Sequence, residues 1–331
     1  MPANLTHQYH KAEEAFKSAT TTEEKIECLE QMIRVLPKHK GTDHMLADLR
    51  RRLSKLKETN DREAKSKKSF NPYRVDKQGA GQALLLGPPN CGKSALVGKL
   101  TRAQVTVTPY PFATVLPVPG MMAFEDVQVQ LVDLPSIQMG ALLPGMLGLI
   151  KSTDVILLVA DVAAPEVLDE MEALLRSLDE GRARLFDHRS PPEPEPLVKD
   201  LPSLLIANKS DGDGAEEVVE LLDESLEGRF EILGVSAETG AGLDVIPERV
   251  FQMLERIRVY SKEPGKPLDR GAPFVLEFGG TVVDLARQIH REFPERLKQA
   301  RVWGSARFEG QAVAKDYKLA DGDVVELHVD G

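Results

Sequence analysis

Cysteine is nearly absent from this chain: two residues, Cys28 and Cys91, in 331. Two thiols so far apart argue against a disulfide framework and for a reducing compartment. No run of about 18 apolar residues occurs, so no segment is expected to cross a membrane. The N-terminus, MPANLTHQYHKAEE, has no basic start followed by an apolar stretch, so a secretory leader is not expected. The seven histidines fall at no metal-ligand spacing, and the net charge of −10 leaves no general positive excess with which to coat nucleic acid. These absences point to a soluble cytoplasmic protein.

What the chain does have is unevenly distributed. Between Arg50 and Lys77 eleven Lys or Arg face four Asp or Glu. Such a segment is either a local arm that docks on phosphate or a solvated helix face. Hydrophobic residues make up 42%, enough for real cores, and the length suggests two or three domains.

Residues 1–60 read as helices. Thr21 and Glu24 stand at capping-box spacing, and Ile26, Leu29, Ile33 and Leu36 then recur at helical steps until Pro37. Leu46, Leu49, Leu53 and Leu56 mark a second amphipathic stretch, and residues 61–81 read as a basic linker. Residues 82–255 alternate short apolar runs (ALLLG, VQVQLVD, VILLVAD, LPSLLIANK, FEILGVSA) with helical stretches, the pattern of a mostly parallel sheet with helices on both faces. DHRSPPEPEPLVKD, with four prolines in 14 residues, is expected to be an exposed loop. Residues 256–331 read strand, strand, helix, strand, strand, a small β-grasp sheet, with Thr281 and Asp284 at the helix start. The fold class is therefore α/β, with a helical N-terminal region and a small C-terminal sheet.

Gly87 to Ser94, GPPNCGKS, satisfies the phosphate-loop pattern G-x-x-x-x-G-K-S between an apolar run and a helical stretch. Its main-chain N–H groups are expected to wrap phosphate oxygens, with Lys93 on the β and γ phosphates and the Ser94 hydroxyl on Mg²⁺. Asp133 ends a strand where P-loop NTPases keep the second carboxylate of the metal site. In IANKSD, Asn208, Lys209 and Asp211 follow another strand. In the P-loop families whose pattern this resembles, an Asp carboxylate there accepts from guanine N1 and the exocyclic amine, and adenine offers no such pair of donors. In GVSAETG, Ser236, Ala237 and Glu238 place the Ala237 N–H to meet guanine O6. The residues these motifs assign to GTP are thus Gly87, Pro88, Pro89, Asn90, Cys91, Gly92, Lys93, Ser94, Ala95, Asp133, Asn208, Lys209, Asp211, Ser236, Ala237 and Glu238, to which a family resemblance adds Ser136.

With these motifs in order, the chain resembles the Obg-superfamily GTPases, and within them the developmentally regulated GTP-binding proteins, which join a G domain to a C-terminal TGS domain. YPFATVLPVPG is similar to the family's switch sequence, and IRVYSKEPGKP, TVVDLARQIHREF and the closing residues follow its TGS pattern. The first 40 or so residues match nothing recognised. The resemblance makes Thr114 the switch threonine that closes on Mg²⁺ and the γ-phosphate, with Ala113 where Thr is usual. It makes Asp133 the start of a D-x-x-G element whose glycine is replaced by Ser136, implying a stiffer or weaker switch. Ile137 stands where Ras-like proteins hold a water-orienting glutamine, which an isoleucine cannot replace. Hydrolysis would then use another group, a partner or a cation. Asn90 is either a ligand of K⁺ beside the phosphates or a simple turn residue. Cys91 is either packed behind the loop or a redox site.

Trp303 and Phe308 either pack on the small sheet or stack on RNA. His290 is expected on a helix surface. The implied activity is a GTP-hydrolysing switch acting on the ribosome or translation. The implied partners are GTP and GDP, the ribosome or RNA, and an accessory protein on the TGS unit or N-terminal helices, with no membrane. The alternative is a GTP-dependent scaffold with very low turnover.

Overall fold

The structure is a computed structural model describing residues 7–18, 22–37, 42–66, 72–101, 116–143, 145–266 and 271–329. It divides into two compact units, Met1–Asn71 and Pro72–Gly331. The first holds three helices, α1 (His7–Ser18), α2 (Thr22–Val35) and α3 (Asp43–Ser66). Leu29, Leu36 and Leu49 from the two amphipathic stretches pack with Tyr9, Ala12 and Met32 into one small core. Helix α3 continues well past Thr59, where the polarity change suggests a linker. The Thr21 end of the expected capping box lies outside the described residues. The basic residues Arg50, Arg51, Arg52 and Lys57 are exposed along α3, with Arg52 on Asp48 and Lys57 on Glu30.

The second unit is built on a seven-stranded sheet. Strands β1 (Gln82–Leu86), β3 (Val127–Asp133), β4 (Val155–Asp161) and β6 (Lys199–Asn208) run parallel at its centre. The edge strand β2 (Val118–Phe124) is antiparallel to β3. On the far side, β5 (Ala183–Phe186) and β7 (Glu231–Val235) both pair with β6, along residues 199–202 and 204–208. Every residue of β1 and β4 is buried. Leu84 and Leu86 face one core, with α5 (Met146–Ser152), α6 (Val167–Glu180) and α7 (Ala215–Ser225). Ala83 and Leu85 face the other, with α4 (Lys93–Leu100) and α8 (Ile246–Met253). That two-sided burial is why these strands read as unbroken apolar runs. Strand β2 was not legible in the sequence because it carries Pro119 and Gly120; an edge strand tolerates both. The proline-rich stretch is the loop between β5 and β6, as its composition requires.

A second sheet closes the unit. Strands β8 (Arg256–Lys262), β9 (Phe274–Glu277), β10 (Leu297–Trp303), β11 (Gln311–Val313) and β12 (Asp323–Val329) lie in the order β11-β10-β12-β8-β9, with only β12 and β8 parallel. Helix α9 (Val282–Ile289) buries Val282, Leu285 and Ala286 against it. The Asp284 carboxylate accepts from the Thr281 N–H and hydroxyl at 2.9 and 2.7 Å, completing the cap. His290 falls just beyond the helix, exposed and extended. A short helix, α10 (Phe293–Arg296), precedes β10.

Arg258 of β8 joins the two sheets. It pairs with Glu125 and Asp126 at the turn between β2 and β3, and with Asp321 of its own domain. Its guanidinium lies 5.8 and 5.5 Å from the rings of Phe124 and Phe251, which stack on each other at 4.9 Å. Tyr260 donates to Asp126 beside it.

Candidate functional site

Strand β1 delivers the chain into the loop at Gly87, and α4 leaves it at Lys93. A Cβ on Gly87 would lie 2.3 Å from the Val159 carbonyl, so the loop can cross β4 only with glycine there. Gly92 has φ +94°, and a Cβ would fall 2.1 Å from Asn208 Nδ2. Asn90 is also left-handed, at φ +60°, a conformation asparagine tolerates better than most residues. Its side chain is exposed and makes no hydrogen bond among the described residues. Left-handed backbone at 90 and 92 is the kind of conformation from which anion-binding nests are built. Pro88 is buried, Pro89 half-buried, and Ala95 follows in the first turn of α4. Cys91 is fully buried, and that burial pushes its thiol up. The packing role is the one the surroundings support, since a thiol held protonated reacts slowly.

Lys93, 5% exposed, folds back over the loop. Its ammonium donates to the carbonyls of Gly87 and Pro88, each at 2.9 Å, and to Ser136 Oγ at 3.2 Å. The next residue, Ser94, donates to Asp133 Oδ2 at 2.5 Å. The last residue of β3 thus meets the first turn of α4, because β3 and β1 are adjacent and parallel.

Ser136 is positioned by the residue after it. The Ile137 N–H donates to the Gly87 carbonyl at 3.1 Å, and the Ile137 side chain, 2% exposed, is sunk in the core with Leu84 and Leu134. Ile137 therefore does not face the site at all. Ser136 is not among the residues with positive φ, so serine is unstrained in this conformation. Thr114 and Ala113 lie outside the described residues.

The other half of the site hangs on Asn208. Its amide donates to the Cys91 carbonyl at 2.8 Å and accepts from the Ala237 N–H at 3.0 Å, at 1% exposure. One side chain thereby ties the loop after β1 to the loop after β7. The Ala237 N–H is the group that the sequence assigns to guanine O6, and here it is already engaged. The Glu238 N–H, next along, has no acceptor among the described residues. Ser236 Oγ accepts from Thr239 N–H at 3.1 Å, which shapes that turn. Asp211 is exposed and lines a pocket of about 370 Å³ together with Gly92, Ala95, Asn208, Ala237 and Glu238. Lys209, at φ +66°, reaches Asp161 Oδ2 at 2.5 Å. The sequence reading passed over Asp161. Its signal was a carboxylate ending an otherwise fully apolar strand, VILLVAD.

Comparison with known proteins follows this geometry. Residues 82–186 match the 50S ribosome-binding GTPase family, and residues 257–329 match the TGS domain. An uncharacterized GTP-binding protein of Methanocaldococcus jannaschii is 29% identical, over 92% of each chain. A developmentally-regulated GTP-binding protein 2 homolog of Dictyostelium discoideum is 24% identical, over 92% of this chain and 98% of its own. The chain belongs to the Obg-superfamily GTPases. As in the developmentally regulated members, its G domain is followed by a TGS domain. The fold is shared with a crystal structure of a GTP-binding protein from Pyrococcus horikoshii, at TM-score 0.51 and 17% identity, covering 75% of this chain and all of that one. For an Obg-superfamily GTPase the Ser94 hydroxyl and Asp133 carboxylate are a fitting donor set for Mg²⁺, a hard cation that prefers oxygen. Among the described residues no helix is long and apolar enough to cross a membrane, and no group of three or more His, Cys, Asp or Glu could hold a metal ion.

Proposed function

We propose that this protein is a GTP-hydrolysing switch of the cytoplasm that acts on the ribosome or in translation. The observation that carries the reading is the cleft: Lys93, Ser94 and Asp133 converge at one end, while Asn208, Asp211 and Glu238 line the other. In this reading the loop from Gly87 to Ala95 wraps the phosphates. Ser94, Thr114 and, through water, Asp133 hold Mg²⁺, which neutralises phosphate charge. Asp211 accepts from the guanine edge. With the Ala237 N–H shared with Asn208, the Glu238 N–H supplies the remaining donor for O6. Asn90, exposed within the loop, holds K⁺, which supplies the positive charge that an arginine finger brings in other GTPases. Equal turnover in sodium and potassium buffers would remove that part.

The ribosome or RNA, touched through the TGS sheet and the basic face of α3, is the partner that the family description favours, with an accessory protein on the same surfaces. The buried Ile137 and the docked Ser136 favour a second reading, a GTP-dependent scaffold with little turnover. Single-turnover hydrolysis with and without ribosomal subunits separates the two. Acceleration by subunits supports the switch; tight GTP binding with no acceleration under any condition supports the scaffold. Absence of affinity for GDP and GTP in Mg²⁺ buffer refutes both.

A further inference from the structure

The Lys93 ammonium has three hydrogens and three oxygen acceptors, with the Cys91 sulfur a longer contact at 3.7 Å. Two acceptors are carbonyls of its own loop; the third, Ser136 Oγ at 3.2 Å, comes from the segment after β3. Ser136 does not reach the lysine by accident of a loose loop. The Ile137 N–H bond to the Gly87 carbonyl at 3.1 Å and the buried Ile137 side chain fix the residue that follows it. Glycine, which the D-x-x-G pattern calls for here, offers a ligand only its main-chain N–H. Serine adds a group that accepts and donates at once. One of its two lone pairs accepts from Lys93, and its hydrogen has no acceptor among the described residues. An anionic oxygen that takes the place of a loop carbonyl on Lys93 therefore arrives within reach of that hydrogen as well. GTP brings such an oxygen on its terminal phosphate, and GDP lacks that phosphate.

We propose that Ser136 is a positioning residue for the terminal phosphate: its hydroxyl accepts from Lys93 and donates to a γ-phosphate oxygen, so this chain separates GTP from GDP with a side chain as well as with main chain. The proposal rests on the reading of the site as a GTP site, and its test keeps the two apart. Equilibrium binding of GDP and of a non-hydrolysable GTP analogue to the full chain in Mg²⁺ buffer is compared for wild type, Ser136→Ala and Ser136→Thr. The alanine variant is expected to lose about tenfold in the ratio of GTP-analogue to GDP affinity, the weight of one hydrogen bond to a charged group. Its GDP affinity stays unchanged, and threonine restores the ratio. An unchanged ratio in Ser136→Ala overturns the proposal. So does an increased ratio, which would mean the hydroxyl obstructs the phosphate, or an equal loss for both nucleotides, which would mean a merely structural role. A wild type that binds neither nucleotide removes the GTP reading itself.

Discussion

Replacing Arg258 by alanine tests whether the two sheets of the second unit are held together as the structure shows. The guanidinium is 14% exposed and meets Asp321 through two nitrogens, at 2.6 and 3.1 Å. It also reaches Glu125 and, at 3.2 Å, Asp126 across the domain boundary. The Asp321 hydrogen bond, the largest influence, holds its pKa above even the usual arginine range. Truncation leaves three carboxylates near one another without their cation. Loss of one partner from a largely desolvated charge cluster costs about 2–5 kcal/mol. Glu125, Asp126 and Asp321 are 60%, 35% and 40% exposed, which discounts the expectation to about 1–2 kcal/mol. Arg74, 65% exposed and paired among the described residues only with Asp76 at 82%, is the control, expected to cost about 0.5 kcal/mol or less. Urea unfolding followed by the fluorescence of Trp303, the chain's single tryptophan and a residue of β10, reports the TGS sheet; circular dichroism reports the whole chain. A double-mutant cycle with Asp126→Ala should return a coupling of at least about 0.5 kcal/mol. An Arg258→Ala chain no less stable than Arg74→Ala, or a cycle that closes to zero, refutes the clamp.

Three other outcomes are expected. Asn208→Ala strands the buried Cys91 carbonyl and Ala237 N–H, at about 1–3 kcal/mol each, so melting should show about 2–4 kcal/mol of lost stability with greatly weakened GDP protection; a loss under about 1 kcal/mol contradicts the bridge. Asp211→Asn should collapse the preference for GTP over ATP in competition binding, and unchanged selectivity refutes the base-reading role. The Asp284 carboxyl is held below its ordinary range, first by the Thr281 hydroxyl and then by the Thr281 N–H. A depressed folded-state pKa means the unfolded chain binds more protons, so this contribution is present above about pH 4 and fades as pH falls further. Asp284→Ala should therefore destabilise by about 1 kcal/mol at pH 7, and by progressively less in acid; a difference constant with pH refutes the assignment.

The parts of this molecule that were legible in the sequence are those whose physics is local. The phosphate loop is one, since its glycines, lysine and serine lie within eight consecutive residues and need only a strand before and a helix after. The cap of α9 is another, because Thr281 and Asp284 are three residues apart. Burial on both faces wrote β1 and β4 into the sequence as apolar runs. Edge strand β2 and four-residue β5 carry no such signature, since pairing with a neighbour rather than composition makes them strands. Tertiary structure alone decided the rest. It brought Asn208 to Cys91 across 117 residues, and Arg258 to Asp126 across 132. It also turned Ile137 into the core and left Ser136 facing Lys93. No periodicity or spacing encodes those meetings. They follow from which strands lie side by side, and a hydrogen bond between distant residues forms only once the sheets have brought them within about 3 Å.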